Sequence, residues 1–193
     1  MAGHAHYTAL LDACVLYPMA MTDALMSLAT TGLFAAKWST AIEEEWIGAL
    51  EANRPDLKGR LGVRRDQMRL AVPDWEVPAA AWRALSPCLE LPDAKDVHVL
   101  AAAIAGHADC IVTANLKHFP RERIDPYGIE MIHPDTFIIN QWDLSELVVV
   151  AAFKRMRARW KKPDTTAEDF ALAMERGGLP ATAARLRDAA ELI

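Results

Sequence analysis

The alanine- and leucine-rich stretch from Asp93 to Ala105 stops at Gly106 and leads into an apolar, β-branched run, Cys110 to Thr113, that ends at Asn115. Glycine after the last periodic residue closes a helix, and a short apolar run bounded by a turn residue reads as a buried strand. A helix feeding a buried strand is half of a βαβ unit, which commits the chain to an α/β fold: a parallel sheet with helices on both faces. Tyr7 to Leu11 supplies an earlier strand that halts at Asp12, with a loop reaching Pro18, and Ile129 to Ile132 is read as a small last strand.

Helical patterns fill the rest. Residues 20 to 31 place Leu25, Leu28 and Ala29 inward and end at Gly32. Ser39 is positioned to cap a helix in which Ile42, Glu45, Trp46 and Ala49 share one face, so Glu45, not Glu43 or Glu44, is expected to point inward. Pro55 opens a predicted helix to about Leu70, carrying Arg60, Arg64, Arg65 and Arg69. Pro73 to Pro92 reads as irregular, with one short helix near Ala79 to Leu85. Beyond the last strand the pattern predicts a helix from Leu144 to Trp160, a second with capping-box spacing at Thr165 and Glu168 that stops at Gly177-Gly178, and a third from Pro180 to Leu192. The expected division is a core domain over residues 1–140 and a helical extension over 141–193, packed on or swapped from that core.

Composition narrows the function classes. A chain of 193 residues, 52% hydrophobic and 24% charged, is long enough for one well-cored domain with an appendage. A net charge of -5 argues against a protein that coats nucleic acid, because such binding neutralises phosphates with Lys and Arg, yet it leaves room for an enzyme that grips one strand locally. The apolar stretch Leu147 to Phe153 falls far short of the roughly 20 residues that cross a bilayer, and Met1 to His6 does not read as an export leader. Three scattered cysteines, Cys14, Cys88 and Cys110, suit reduced thiols in a cytoplasm.

Four acids stand where this fold would turn them toward one end of the sheet: Asp12 at a strand end, Glu45 on a helical stripe, and Asp93 with Asp96 three apart at a helix start. Carboxylates gathered together resist joint ionisation unless a cation neutralises them, so the set reads as a divalent-metal site. Helix capping explains Asp93 and Asp96 equally well taken alone. It explains neither an acid at a strand end nor one on an apolar stripe. No Ser-His-Asp or Cys-His arrangement stands out. His98 falls about 200° around the helix from Asp96 and reads as structural. Cys14 reads as a packing residue, and His4 and His6 as part of a mobile tail.

The segments Leu11-Asp12-Ala13-Cys14-Val15-Leu16, Trp38-Ser39 with Glu45-Trp46, Asp93 to Ala101, and Ile111-Val112-Thr113-Ala114-Asn115-Leu116-Lys117-His118-Phe119-Pro120, in this order, resemble the PIN domain of bacterial VapC-like toxins. The resemblance spans about Tyr7 to Phe137. It implies a three-layer α/β/α sandwich and a Mg²⁺- or Mn²⁺-dependent endoribonuclease site at the carboxyl edge of a central parallel sheet. It further implies the toxin of a toxin–antitoxin pair, a homodimer, an RNA substrate and silencing by a cognate antitoxin. The acids carried over are Asp12, Glu45 and Asp96, with Asp93 as a supplement. The fourth position, usually Asp two residues after the strand's Thr, is Asn115 here, which can offer a carbonyl oxygen but no charge. His118, where some relatives have an acid, lowers the negative charge further.

Such a site would orient and acidify a water for in-line hydrolysis, leaving a 5′-phosphate and a 3′-hydroxyl. Lys117 and Arg121, next to the Asn115 loop, are the expected phosphate contacts, ahead of two basic clusters at Arg60–Arg69 and Lys154–Lys162 that read as solvated helix faces. Thr113 is a candidate for holding the strand end, a water or the substrate. Two other readings stand beside this one. The first is a PIN-fold interaction module whose catalysis the loss of charge at Asn115 weakens. The second is a phosphatase with Asp12 as nucleophile, against which Cys14 stands where that chemistry needs an acid.

Overall fold

The computed structural model describes residues 7–160 and 165–193, so His4, His6, Lys161 and Lys162 lie outside the described residues. Four strands, β1 (Thr8–Leu11), β2 (Ala35–Lys37), β3 (Cys110–Val112) and β4 (Glu130–Ile132), form one sheet in the order β2-β1-β3-β4, every pair parallel. Ala9, Leu10, Leu11 and all of β3 are fully buried, as expected of strands covered on both faces.

The helices are α1 (Ala13–Leu16), α2 (Met19–Ala29), α3 (Thr40–Asn53), α4 (Gly62–Ala71), α5 (Ala79–Trp82), α6 (Val97–Ala105), α7 (Arg121–Ile124), α8 (Pro134–Leu144), α9 (Glu146–Arg159), α10 (Ala167–Arg176) and α11 (Pro180–Asp188). With the sheet they make the three-layer α/β/α sandwich. α6 packs on β1 and β3 with α5 outside it, whereas α2 packs on β2 and is surrounded by α1, α4, α9 and α10. Gly106 ends α6 and also makes room, since a Cβ there would lie 2.8 Å from Val77 Cγ2.

Several local expectations are corrected. Val15 and Leu16 lie in the single turn of α1, which Asp12 caps, and not in a loop. β2 was not anticipated: three short residues carry too little apolar signal to stand out from their surroundings. Pro55 starts only a 3-10 turn, Pro55–Leu57, before α4, and Asp93 likewise caps a 3-10 turn, Ala94–Asp96, before α6. The helix predicted from Leu144 begins at Glu146, and Leu144 instead closes α8, with Ser145 (φ -157°, ψ 79°) outside helical geometry between them. The cap of α10 is Thr166, whose Oγ1 accepts from Asp169 N at 3.1 Å, one residue beyond the predicted pair.

The C-terminal helices are tied down by polar contacts as well as packing. Asp135, buried at the start of α8, accepts from Ala181 N, Thr182 N and Thr182 Oγ1 at 2.7, 2.9 and 2.7 Å, and so caps the start of α11. Asp23 on α2 accepts from Arg159 Nη2 at 2.6 Å and Trp160 Nε1 at 2.9 Å. No helix among the described residues is long and apolar enough to cross a membrane.

Candidate metal centre

The chain runs from β1 outward to β2, then back across β1 to β3, so strand order reverses between β1 and β3. Ligands of open α/β sheets bind at such a switch point, outside the carboxyl ends of the strands. Asp12 follows β1 and Thr113 follows β3 at this place.

Asp12 is 3% exposed and held from three directions. Its Oδ1 accepts Ala13 N at 2.6 Å, while its Oδ2 accepts Thr113 Oγ1 at 2.6 Å and Cys14 Sγ at 3.0 Å. Thr113 Oγ1 accepts in turn from Asn115 N at 3.0 Å, and Cys14 Sγ from Ala114 N at 3.3 Å. Burial first, then the charge of Asp12, pushes the Cys14 thiol up to about 12, so at neutral pH it keeps the proton it donates. Thr113, a candidate substrate contact, is fully buried, and its hydroxyl braces Asp12.

The 3-10 turn before α6 brings Asp93 and Asp96 to the same edge, and a second 3-10 turn after β3, Leu116–His118, brings His118. One ligand atom from each of Asp93, Asp96 and His118 lies within 4.8 Å of the others. His118 Nδ1 is 2.8 Å from Asp96 Oδ2. Burial raises the Asp96 carboxyl above the usual aspartate range and the charges of Asp12 and Asp93 raise it further, against a lowering by the His118 hydrogen bond. Three convergent donors and a carboxylate whose ionisation its acidic neighbours oppose are what a divalent cation would stabilise, so the residues fit one.

Glu45 and Glu43 exchange the places predicted for them. The Glu45 side chain is 47% exposed with Oε2 3.2 Å from His98 Nε2, whereas that of Glu43 is 3% exposed. Glu43 accepts Trp38 Nε1 at 3.0 Å and a two-point grip from Arg69, whose Nε lies at 3.0 Å. The buried stripe of α3 is Ile42, Glu43, Trp46 and Leu50. These two partners, Trp38 five residues away and Arg69 in a separate helix, make an inward acid tolerable, and helical spacing alone carries no sign of them. Glu45 nevertheless reaches the site's margin through His98, which sits two residues after Asp96.

Three of the four arginines in the Arg60–Arg69 cluster have partners within the chain. Arg64 donates to Leu16 O and Thr22 Oγ1 at 2.6 and 2.7 Å, Arg65 pairs with Asp66, and Arg69 holds Glu43. Lys117 and Arg121 are exposed beside the His118 turn, as is Asn115. Sequence reading assigned His118 no positive role; its signal was the spacing from Asn115, which a single 3-10 turn converts into proximity.

A model of the PIN domain family matches residues 8–117, more than half of the chain. The chain belongs to the PIN-domain family. The PIN match contains Asp12, Glu45, Asp93, Asp96 and Asn115 and stops one residue before His118. A second model, described as the VapC50 C-terminal domain, matches residues 134–188, from the first residue of α8 to the last of α11. A Mycobacterium tuberculosis (strain ATCC 25618 / H37Rv) protein named "Putative ribonuclease VapC50" is 46% identical over 72 residues, which cover 37% of this chain and 43% of that relative. This PIN chain therefore matches less than half the length of that relative. No solved structure gives a significant match.

Proposed function

We propose that this chain is a divalent-metal-dependent endoribonuclease, the toxin of a toxin–antitoxin pair, acting on RNA in the cytoplasm as a homodimer silenced by a cognate antitoxin. The observation that carries this reading is the convergence of Asp93, Asp96 and His118 beside Asp12 at the switch point of a PIN fold. The name of the mycobacterial relative supports RNA as the substrate class. In this reading residues 1–140 carry the chemistry and residues 141–193 form an extension that braces it.

Bound Mg²⁺ or Mn²⁺ supplies Lewis acidity at the phosphodiester and acidifies the attacking water. The chain does the rest by positioning. Asp12, Asp96, Asp93 and Glu45 hold the cation. Thr113 and Cys14 fix the direction of the Asp12 carboxylate through its Oδ2. Asn115 steadies a water through its amide, and Lys117 and Arg121 engage strand phosphates from the exposed turn. Purified protein is expected to cut RNA with Mg²⁺ or Mn²⁺, to stop on addition of EDTA, and to lose activity as Asp12→Asn or Asp96→Asn; activity that ignores both treatments overturns the reading.

A second reading, an interaction module with weakened catalysis, is favoured by two observations: Asn115 brings no charge, and His118 already occupies Asp96 Oδ2. Restoring Asp at 115 separates the two. A silent parent that gains cleavage as Asn115→Asp supports the module.

A further inference from the structure

We propose that His118 is a metal ligand and that its imidazole biases this centre toward first-row transition ions, Co²⁺ and Mn²⁺, over Mg²⁺. The inference rests on the metal site of the nuclease reading and assigns that site a chemical preference.

Position comes first. The turn Leu116–His118 is closed by His118 N donating to Asn115 O at 2.9 Å, and it returns the chain over the carboxyl end of β3. The imidazole thereby faces Asp96 from a different loop, 22 residues away in sequence. Its side chain is 31% exposed and that of Asp96 14%, so both are reachable from solvent. Donors sharing one ion at roughly 2.0–2.2 Å lie up to about 4.4 Å apart, so the 4.8 Å grouping of Asp93, Asp96 and His118 needs only small rotamer adjustments to close on an ion.

Donor chemistry then sets the preference. Mg²⁺ is a hard ion that takes oxygen ligands and keeps its waters. Imidazole nitrogen suits the first-row transition ions, whose affinity for N-donor sites rises from Mn²⁺ through Co²⁺. Asn115 withholds a carboxylate from this edge, so a nitrogen donor replaces charge that Mg²⁺ would have used. The other histidine nearby, His98, is committed through Nε2 to Glu45.

The test uses the full-length protein with Mg²⁺, Mn²⁺ and Co²⁺ alone, in the parent, His118→Asp and His118→Gln. Calorimetry gives the dissociation constants, and pulsed EPR of bound Mn²⁺ detects a directly bonded nitrogen. The parent is expected to hold Mn²⁺ at least about tenfold tighter than Mg²⁺, Co²⁺ tighter still, and to show nitrogen coupling. His118→Asp keeps an oxygen donor, so it should retain Mg²⁺, lose the coupling and shrink the Mn²⁺-to-Mg²⁺ ratio severalfold. Bound Mn²⁺ without nitrogen coupling in the parent, or coupling and ratio that persist in both variants, overturns the assignment. If a variant does not fold, the parent's EPR spectrum alone decides. A parent that binds none of the ions removes this inference and the nuclease reading together, whereas nitrogen-coupled Mn²⁺ without RNA cleavage removes only the nuclease reading.

Discussion

Asp96 and Asp135 are both acids at the start of a helix, and the chain treats them in opposite ways. Asp135 is enclosed by donors: two backbone amides and a hydroxyl of α11 converge on it. Asp96 has one imidazole as its partner, and burial first, then the charges of Asp12 and Asp93, raise its proton affinity. An acid surrounded by donors is a structural staple. One buried beside other acids is costly to ionise, a cost that a bound cation would offset.

Substitutions should separate the two regions. The largest effect is expected from Asp96→Asn, which should lower RNA cleavage on the order of 10²- to 10³-fold while leaving urea-unfolding stability unchanged or slightly higher. Asp135→Ala should do the reverse: it strands three donors and should cost about 2–4 kcal/mol in urea unfolding. Metal affinity of any cleavage that remains should be close to the parent's. Glu43→Gln breaks a pair whose Arg69 side is about one-third exposed, so solvent screening limits the loss to about 1–2 kcal/mol, with little change in metal binding.

The pH dependence follows from the same contrast. Because the folded-state value of Asp96 is raised, its ionisation disfavours the apo fold; this group's stability is complete at low pH and declines as pH rises through the raised value. Bound cation reverses that, since it requires the carboxylate, so metal affinity should strengthen with pH just above the ordinary aspartate range. Unfolding midpoints measured with and without Mn²⁺ across pH 4 to about 7 check the sign, and equal slopes would contradict it. The smallest effect is expected from Cys14→Ser, which keeps a donor on Asp12 Oδ2 and should stay within about 1 kcal/mol in stability.

How much of this was legible in the sequence depends on the range of the interactions. The α6–β3 unit, the Ser39 cap and the Asp12 strand end follow from neighbours within a few residues, and the structure contains each of them. Glu43 was misplaced because the groups that make it an inward acid, Trp38 Nε1 and especially Arg69, belong to separate segments. The Thr113 hydrogen bond to Asp12 spans 101 positions and has no local signature. Ser145 splits a continuous helical pattern without proline or glycine, so periodicity passes over it. Local rules thus found the acids' addresses; tertiary partners decided which of them stayed under-neutralised.

One contact at the far flank of the sheet bears on how copies of this protein meet. Beyond β2, Trp38 donates its N–H to Trp75 O and accepts from Val77 N, both at 2.9 Å, and the Trp38 and Trp75 rings stack at 5.2 Å. Lys37 Nζ reaches the carbonyl of Asp74 in the same segment. A border strand with idle amides invites a neighbouring molecule to zip on and begin an aggregate. Here the chain covers the residue just past β2 with its own Trp75–Val77 segment, so an incoming strand would find the Trp38 amide and carbonyl already engaged.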